Sequence, residues 1–357
     1  MKNLDHHLQS LVDKDKTPSV SYLLFDKDHI IHSHRSGYAD IISNKTISEN
    51  STYCGFSVTK TFTALAILQL TEKGKLKLDD HVDKYVNHPY TNDITIKQLL
   101  SHSAGIPNPL PLRWVHSPEE HQTFDRNEFF NHLFMKNSKL KSSPNDKFNY
   151  SNLGYVLLGR VIENISGLSY EKYIHANIID QLNIDQGDLG FLINDPDNHA
   201  KGYQKRGTFM NFVLGFLMDK SKYVNQKEGK WNSFHDVLLN GPSYGGLIGT
   251  ADSFMRYIQE FLKADCGLIS DENKKLLFTE NIANSGKNTG MCLSWFKGEL
   301  NGNIYYSHAG GGAGYYCEIR IYPNKGIGSV VMFNRSGMSD ERILNKFDKF
   351  YFDGENL

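Results

Sequence analysis

Strand-like sequence lies at both ends of this chain and helix-like sequence fills its middle, and that order narrows the possible architectures more than any single motif. Val20 to Phe25 and His29 to Ser33 read as two strands around a tight turn at Asp26-Lys27-Asp28. After Gly290, the segments Met291 to Lys297, Gly302 to Ser307, Tyr315 to Tyr322 and Gly328 to Phe333 read as consecutive antiparallel strands. Between them the apolar spacing predicts helices near 126–136, 152–166 and 169–181, and Thr95-Ile96-Lys97-Gln98 is a capping box opening another. Helices are also expected over Leu4–Leu11 and from Ser339 to about Phe350. Strands from both termini must share one sheet, so the class is α+β: an antiparallel sheet flanked by N- and C-terminal helices, plus a mostly helical inserted domain. The expected division is one α/β domain from 1–84 and 245–357, a mainly helical insertion over 85–244, and an active site in the cleft between them.

Composition removes several classes of function. The chain has 357 residues, with 39% apolar, 22% charged and 12% aromatic, as an ordinary folded protein has. A net charge of −1 favours neither nucleic acid nor an anionic membrane surface. No apolar stretch approaches the roughly 20 residues that cross a bilayer, and the start lacks the apolar core of a signal peptide, so a cytoplasmic location is expected. Cys54, Cys266, Cys292 and Cys317 are scattered, too few for a disulfide framework and without a metal-type pair, so they read as packing thiols. His32 and His34 alternate on one strand face, but two imidazoles without a third ligand read as a solvated face. No cofactor and no metal are expected.

The chemistry begins at Ser57-Val58-Thr59-Lys60, at the mouth of the apolar helix Thr61 to Leu70. Three residues put the serine and the lysine on one helical face, about one turn apart. A serine hydroxyl is a poor nucleophile until a neighbouring base takes its proton, and a lysine on such a helix either faces the surface or, if buried, must be paired or have its pKa lowered toward that role. Further Ser-x-x-Lys copies start at Ser138, Ser169 and Ser294, in a polar stretch, at a helix cap and in an expected strand, and these read as structural. Gly55-Phe56-Ser57-Val58-Thr59 misses the second glycine of a nucleophile elbow. Tyr150-Ser151-Asn152 precedes the apolar helix Leu153 to Gly159, where Asn152 on local grounds suits the cap. His308-Ala309-Gly310 ends the strand Ile304 to Tyr306, and glycines there admit a closely approaching backbone or substrate.

Ser-x-x-Lys, Tyr-x-Asn and His-x-Gly in this order resemble the superfamily of class C β-lactamases, serine D-Ala-D-Ala peptidases, D-aminopeptidases and related esterases. Gln98 to Ile106 and Gly245 to Asp252 are similar to the same superfamily, so the likeness spans roughly residues 18 to 335. It implies a β-lactamase/transpeptidase-like fold and acyl transfer through a covalent ester on Ser57. Lys60 and Tyr150 would move the proton, Asn152 would orient Lys60 or a substrate amide, and His308 would add a positive field if protonated. The oxyanion would sit between the backbone N–H groups of Ser57 and Gly311, just after Gly310. His102 is expected to pack below the site as a structural residue.

The expected function is therefore a serine hydrolase acting on small esters or on short peptides and amides, D-residue ones included. The alternatives are a β-lactamase or D-Ala-D-Ala carboxypeptidase, and a catalytically silent scaffold of the same fold. A histidine at 308 in place of a lysine, mostly neutral at pH 7, disfavours a carboxylate-bearing β-lactam. The most apolar run, Phe209 to Met218, is too short to span a membrane. Phe212 and Phe216 within it are candidates for an acyl pocket.

Overall fold

A computed structural model of the protein describes residues 1–111, 113–207, 223–337 and 342–355. Its main sheet has seven antiparallel strands drawn from both ends of the chain. In chain order these are β1 (Ser19–Asp26), β2 (Ile30–Asp40), β3 (Lys45–Thr46), β4 (Phe296–Leu300), β5 (Asn303–Gly312), β6 (Tyr315–Tyr322) and β7 (Ile327–Phe333), arranged β4-β5-β6-β7-β1-β2-β3. The β7–β1 pairing, Val20 opposite Phe333 through Asp26 opposite Ile327, closes the two termini into one sheet. The β1–β2 turn forms as its sequence predicts: Asp26 Oδ1 accepts the N–H groups of Asp28 and His29 at 2.8 and 2.7 Å.

One sheet face is covered by the terminal helices, α1 (Lys2–Asp13) and the C-terminal helix Leu344–Glu355. Leu4 and Leu8 of α1 and Phe347 pack there against Tyr22, Tyr305 and Tyr322. The other face carries the larger core, into which α2 (Thr59–Glu72) is sunk. Every residue of α2 from Thr59 to Leu70 is buried, as a helix apolar on all sides must be. Thr95 and Gln98 close both arms of their capping box, opening the short α3 (Ile96–Leu100). Helices α4 (Arg126–Lys136), α5 (Asn152–Ser166) and α6 (Tyr170–Asn177) follow.

Several expectations need correcting. The strand expected from Met291 starts only at Phe296, because Ser294 takes φ +71 and turns the chain first. The closing helix starts at Leu344 rather than near Ser339, and residues 338–341 lie outside the described residues. The stretch 85–244 holds strands as well as helices: Tyr203–Lys205, Trp231–Phe234 and Val224–Glu228 form a three-stranded antiparallel sheet. His32 and His34 are not solvated; both rings meet the Asp5 carboxylate, at 2.9 and 3.1 Å, and tie α1 to β2.

Candidate active site

Ser57 sits in a 3-10 turn, Phe56–Val58, that runs into α2. Phe56 holds φ +45, a left-handed backbone that a bulky residue adopts only when its surroundings force it. The forcing contacts are visible. Gly55 N–H donates to Leu247 O at 2.8 Å. Thr59 Oγ1 donates to Phe56 O at 2.7 Å and accepts from Leu247 N–H at 3.0 Å. The turn is thus stapled, and Ser57 is left half-buried at its crest.

Lys60 lies one turn on and is fully buried. Its Nζ donates to Ser57 Oγ at 3.0 Å and to the Tyr244 carbonyl at 2.7 Å. The rings of Tyr150, Tyr155 and Tyr244 surround it with centroids 5.0, 5.5 and 5.5 Å away. Burial alone pushes its pKa well below the ordinary lysine value, because desolvation penalises the ammonium.

Tyr150 arrives from the loop before α5, and its hydroxyl donates to Ser57 Oγ at 2.8 Å. The loop is held on both sides of it. Asn149 Nδ2 donates to Ile106 O at 2.8 Å, and Ser151 Oγ donates to Pro107 O at 3.0 Å. Ser151, not Asn152, caps α5: its hydroxyl accepts from Gly154 N–H at 3.1 Å from an extended φ of −145°. Asn152 is the first helical residue. Its N–H donates to Asn108 Oδ1 at 3.1 Å, and its own Oδ1 is buried without a partner among the described residues.

His308 lies on β5 and is almost fully buried. Its Nδ1 pairs with the Ser294 carbonyl, so Nδ1 carries the proton and Nε2 presents a lone pair, which has no partner among the described residues. Burial first, and then Lys60, push its pKa down to about 3. With Nδ1–H spent on the Ser294 carbonyl and burial favouring the neutral ring, the geometry weighs against His308 as a source of positive field. Beyond Ser307, among the described residues, β5 pairs with β6 alone, and its other edge faces the Ser57 turn. Gly310 makes this approach possible, since a Cβ there would lie 2.6 Å from Ser57 N. Gly311 follows, exposed, on the same strand.

The structure thus brings Ser57, Lys60 and Tyr150 into direct contact and lays Gly310 against the Ser57 turn. Phe212 and Phe216 lie outside the described residues. Three contributors were not singled out for the site from sequence: the Tyr244 carbonyl, the Ser294 carbonyl and His102. Two are main-chain atoms, which leave no residue signature. His102 had a signal, its place in the Gln98 to Ile106 stretch, but not a visible partner. Cys54 is buried, and burial pushes its thiol up, away from reactivity. Among the described residues one group has metal-ligand spacing, Asp26, Asp28 and His29 in the β1–β2 turn, on other elements than the serine.

The family model described as Beta-lactamase matches residues 4–350. The chain is 28% identical over 325 residues to "Penicillin-binding protein 4*" of Bacillus subtilis (strain 168), covering 88% of this chain and 68% of that protein. It is 32% identical over 215 residues to "Protein flp" of Staphylococcus aureus (strain N315), covering 58% of this chain but only 41% of that one. Among solved structures, the octameric penicillin-binding protein homologue from Pyrococcus abyssi superposes with a TM-score of 0.80 at 24% identity, over 99% of this chain and 77% of that one. "EstCE1, a hydrolase with promiscuous acyltransferase activity" superposes at 0.75 with 19% identity, over 98% of both chains. At these identities the structural likeness establishes the β-lactamase/transpeptidase-like fold.

Proposed function

The chain belongs to the Beta-lactamase family, and on that premise we propose that it is a serine hydrolase of small neutral esters and short peptides or amides, working through an acyl-enzyme on Ser57. The observation that carries this is the convergence of a fully buried Lys60 amine and the Tyr150 hydroxyl on one serine oxygen, at 3.0 and 2.8 Å.

Burial favours the free amine of Lys60. Lys60 Nζ takes the hydroxyl proton as Ser57 Oγ bonds to the substrate carbonyl carbon. The carbonyl oxygen becomes an oxyanion held by the N–H groups of Ser57 and Gly311, each such donor contributing about 3 kcal/mol. Tyr150 gives its proton to the leaving oxygen or nitrogen as that bond breaks, and the proton on Lys60 restores it. Water then attacks the acyl-serine, giving one proton to the same pair, which passes it to Ser57 Oγ as the ester bond breaks and the acid leaves. Asn152, with its unpaired buried oxygen, is placed to hold a substrate N–H.

Neutral His308 supports the preference for neutral substrates. It offers an acceptor lone pair where a carboxylate would need a donor or a cation. The test is turnover of a panel: p-nitrophenyl acetate and butyrate, D- and L-amino-acid p-nitroanilides, and nitrocefin. Esters should turn over with saturation, and nitrocefin at least tenfold more slowly. Nitrocefin turnover matching the esters would refute the preference, and no turnover of any ester or anilide would refute the hydrolase.

A further inference from the structure

We propose that His102 is the positioning residue that sets Tyr150 against Ser57. This rests on the reading of Tyr150 as a member of the acyl-transfer site, and it gives a specific task to a residue that the sequence marks only as packing.

His102 holds Tyr150 in three ways at once. Its carbonyl accepts the N–H of Asn149 at 2.7 Å. Its Nδ1 accepts the N–H of Ser151 at 3.1 Å. The two main-chain donors that flank Tyr150 are therefore both fixed by one residue. The imidazole also lies against the Tyr150 ring, with centroids 4.2 Å apart and planes tilted by 31°. On its other contacts the ring meets Tyr155 at 4.8 Å and Phe148 at 5.9 Å. Tyr155 is itself fixed by its hydroxyl bond to Leu100 O at 2.8 Å, so the ring stack ends on rigid backbone.

The backbone is unusual at the residue that does this. His102 sits at φ +52, immediately after α3, which lets its carbonyl and its ring serve the same loop. Since Nδ1 accepts an N–H, the ring proton resides on Nε2, and that atom is buried without a partner among the described residues. An imidazolium would lose the Ser151 bond and stand near Lys60, and both burial and Lys60 hold the ring neutral. The unmet Nε2–H costs stability, and what the ring provides in return is its hold on Tyr150.

The experiment separates ring, acceptor and backbone. His102→Asn tolerates the positive φ and keeps an oxygen for Ser151 N–H, but removes the ring stack. His102→Phe keeps a ring and loses the acceptor. With p-nitrophenyl acetate, His102→Asn should lower kcat about tenfold and His102→Phe about a hundredfold, KM staying within twofold, as misplacement of a reacting group does. The pH–kcat profile should shift in both variants. The decisive readout is the cycle with Tyr150→Phe: in that background, His102→Asn should cost less than twofold. An equal loss in both backgrounds, or a His102→Phe enzyme with wild-type kcat and pH profile, overturns the proposal. Full activity of Tyr150→Phe itself would overturn the underlying reading instead.

Discussion

The two faces of the main sheet each bury a cluster of ionisable side chains, and they are built on opposite rules. Under the terminal helices, Arg320, Glu318 and Asp348 are all fully buried and bonded to one another and to their surroundings. Arg320 donates to Glu318, Asn345 and Tyr322, and Asp348 accepts from Tyr22, Tyr322 and Ser329, all within 2.7–3.0 Å. On the other face, Lys60 is buried with no carboxylate bonded to it among the described residues, and Asn152 Oδ1, His308 Nε2 and His102 Nε2 go unpaired. Arg320 Nε alone of the first cluster's polar atoms named here lacks a partner among the described residues; a network whose charges are matched fixes a structure, whereas unmatched groups keep hydrogen-bonding capacity for something that is not protein. The first cluster anchors a helix, and the second is the proposed reaction centre.

The contrast breaks most visibly at the centre of each cluster. Lys60→Met should lower kcat/KM by roughly a thousandfold or more while leaving the melting temperature unchanged or raised, since it removes a buried amine that no carboxylate pairs. Thermal melts alongside ester turnover check both halves. Arg320→Met should do the reverse: a loss of roughly 3–5 kcal/mol in urea unfolding, because Glu318 and Asp348 stay buried without their cation, with kcat per folded molecule retained.

Gly310→Ala probes the seam between the sheet and the serine turn. The added methyl must displace β5 from Ser57, so kcat should fall about a hundredfold with only modest loss of stability.

The smallest effect expected is in the pH dependence of stability. Burial holds His102 well below its ordinary value, His308 at about 3 and His199 at about 4. In the unfolded chain these rings bind a proton near 6.5, so stability is complete above that pH and declines as pH falls from 6.5 toward 4. Burial pushes the Glu318 and Asp348 carboxyls up, and to that extent they act in the opposite sense. The urea midpoint should still be lower at pH 5 than at pH 7, and an unchanged midpoint would contradict burial of the neutral rings.

Much of the site was legible because its signals are side chains at fixed spacing. One helical turn joins Ser57 to Lys60, and the ordered trio with Tyr150 and His308 distinguished this Ser-x-x-Lys from its copies at Ser138, Ser169 and Ser294. The α+β class followed from strands at both ends. What escaped was main-chain conformation. Ser294 reads as part of a strand, yet its positive φ turns its carbonyl onto His308 Nδ1, and nothing in a serine announces that. Tyr244 reaches Lys60 through a carbonyl whose residue type is irrelevant. Asn152 and Ser151 are both good caps on local grounds, and only the fold shows that Ser151 takes the role.

The central claim, that Ser57 is a nucleophile activated by a buried amine, is tested most directly by intact-mass and peptide mapping after exposure to a fluorophosphonate. The account predicts one adduct per chain, on Ser57, forming more slowly in Lys60→Met and absent in Ser57→Ala. Undiminished labelling of Ser57→Ala, or an adduct mapped to another residue, would contradict it.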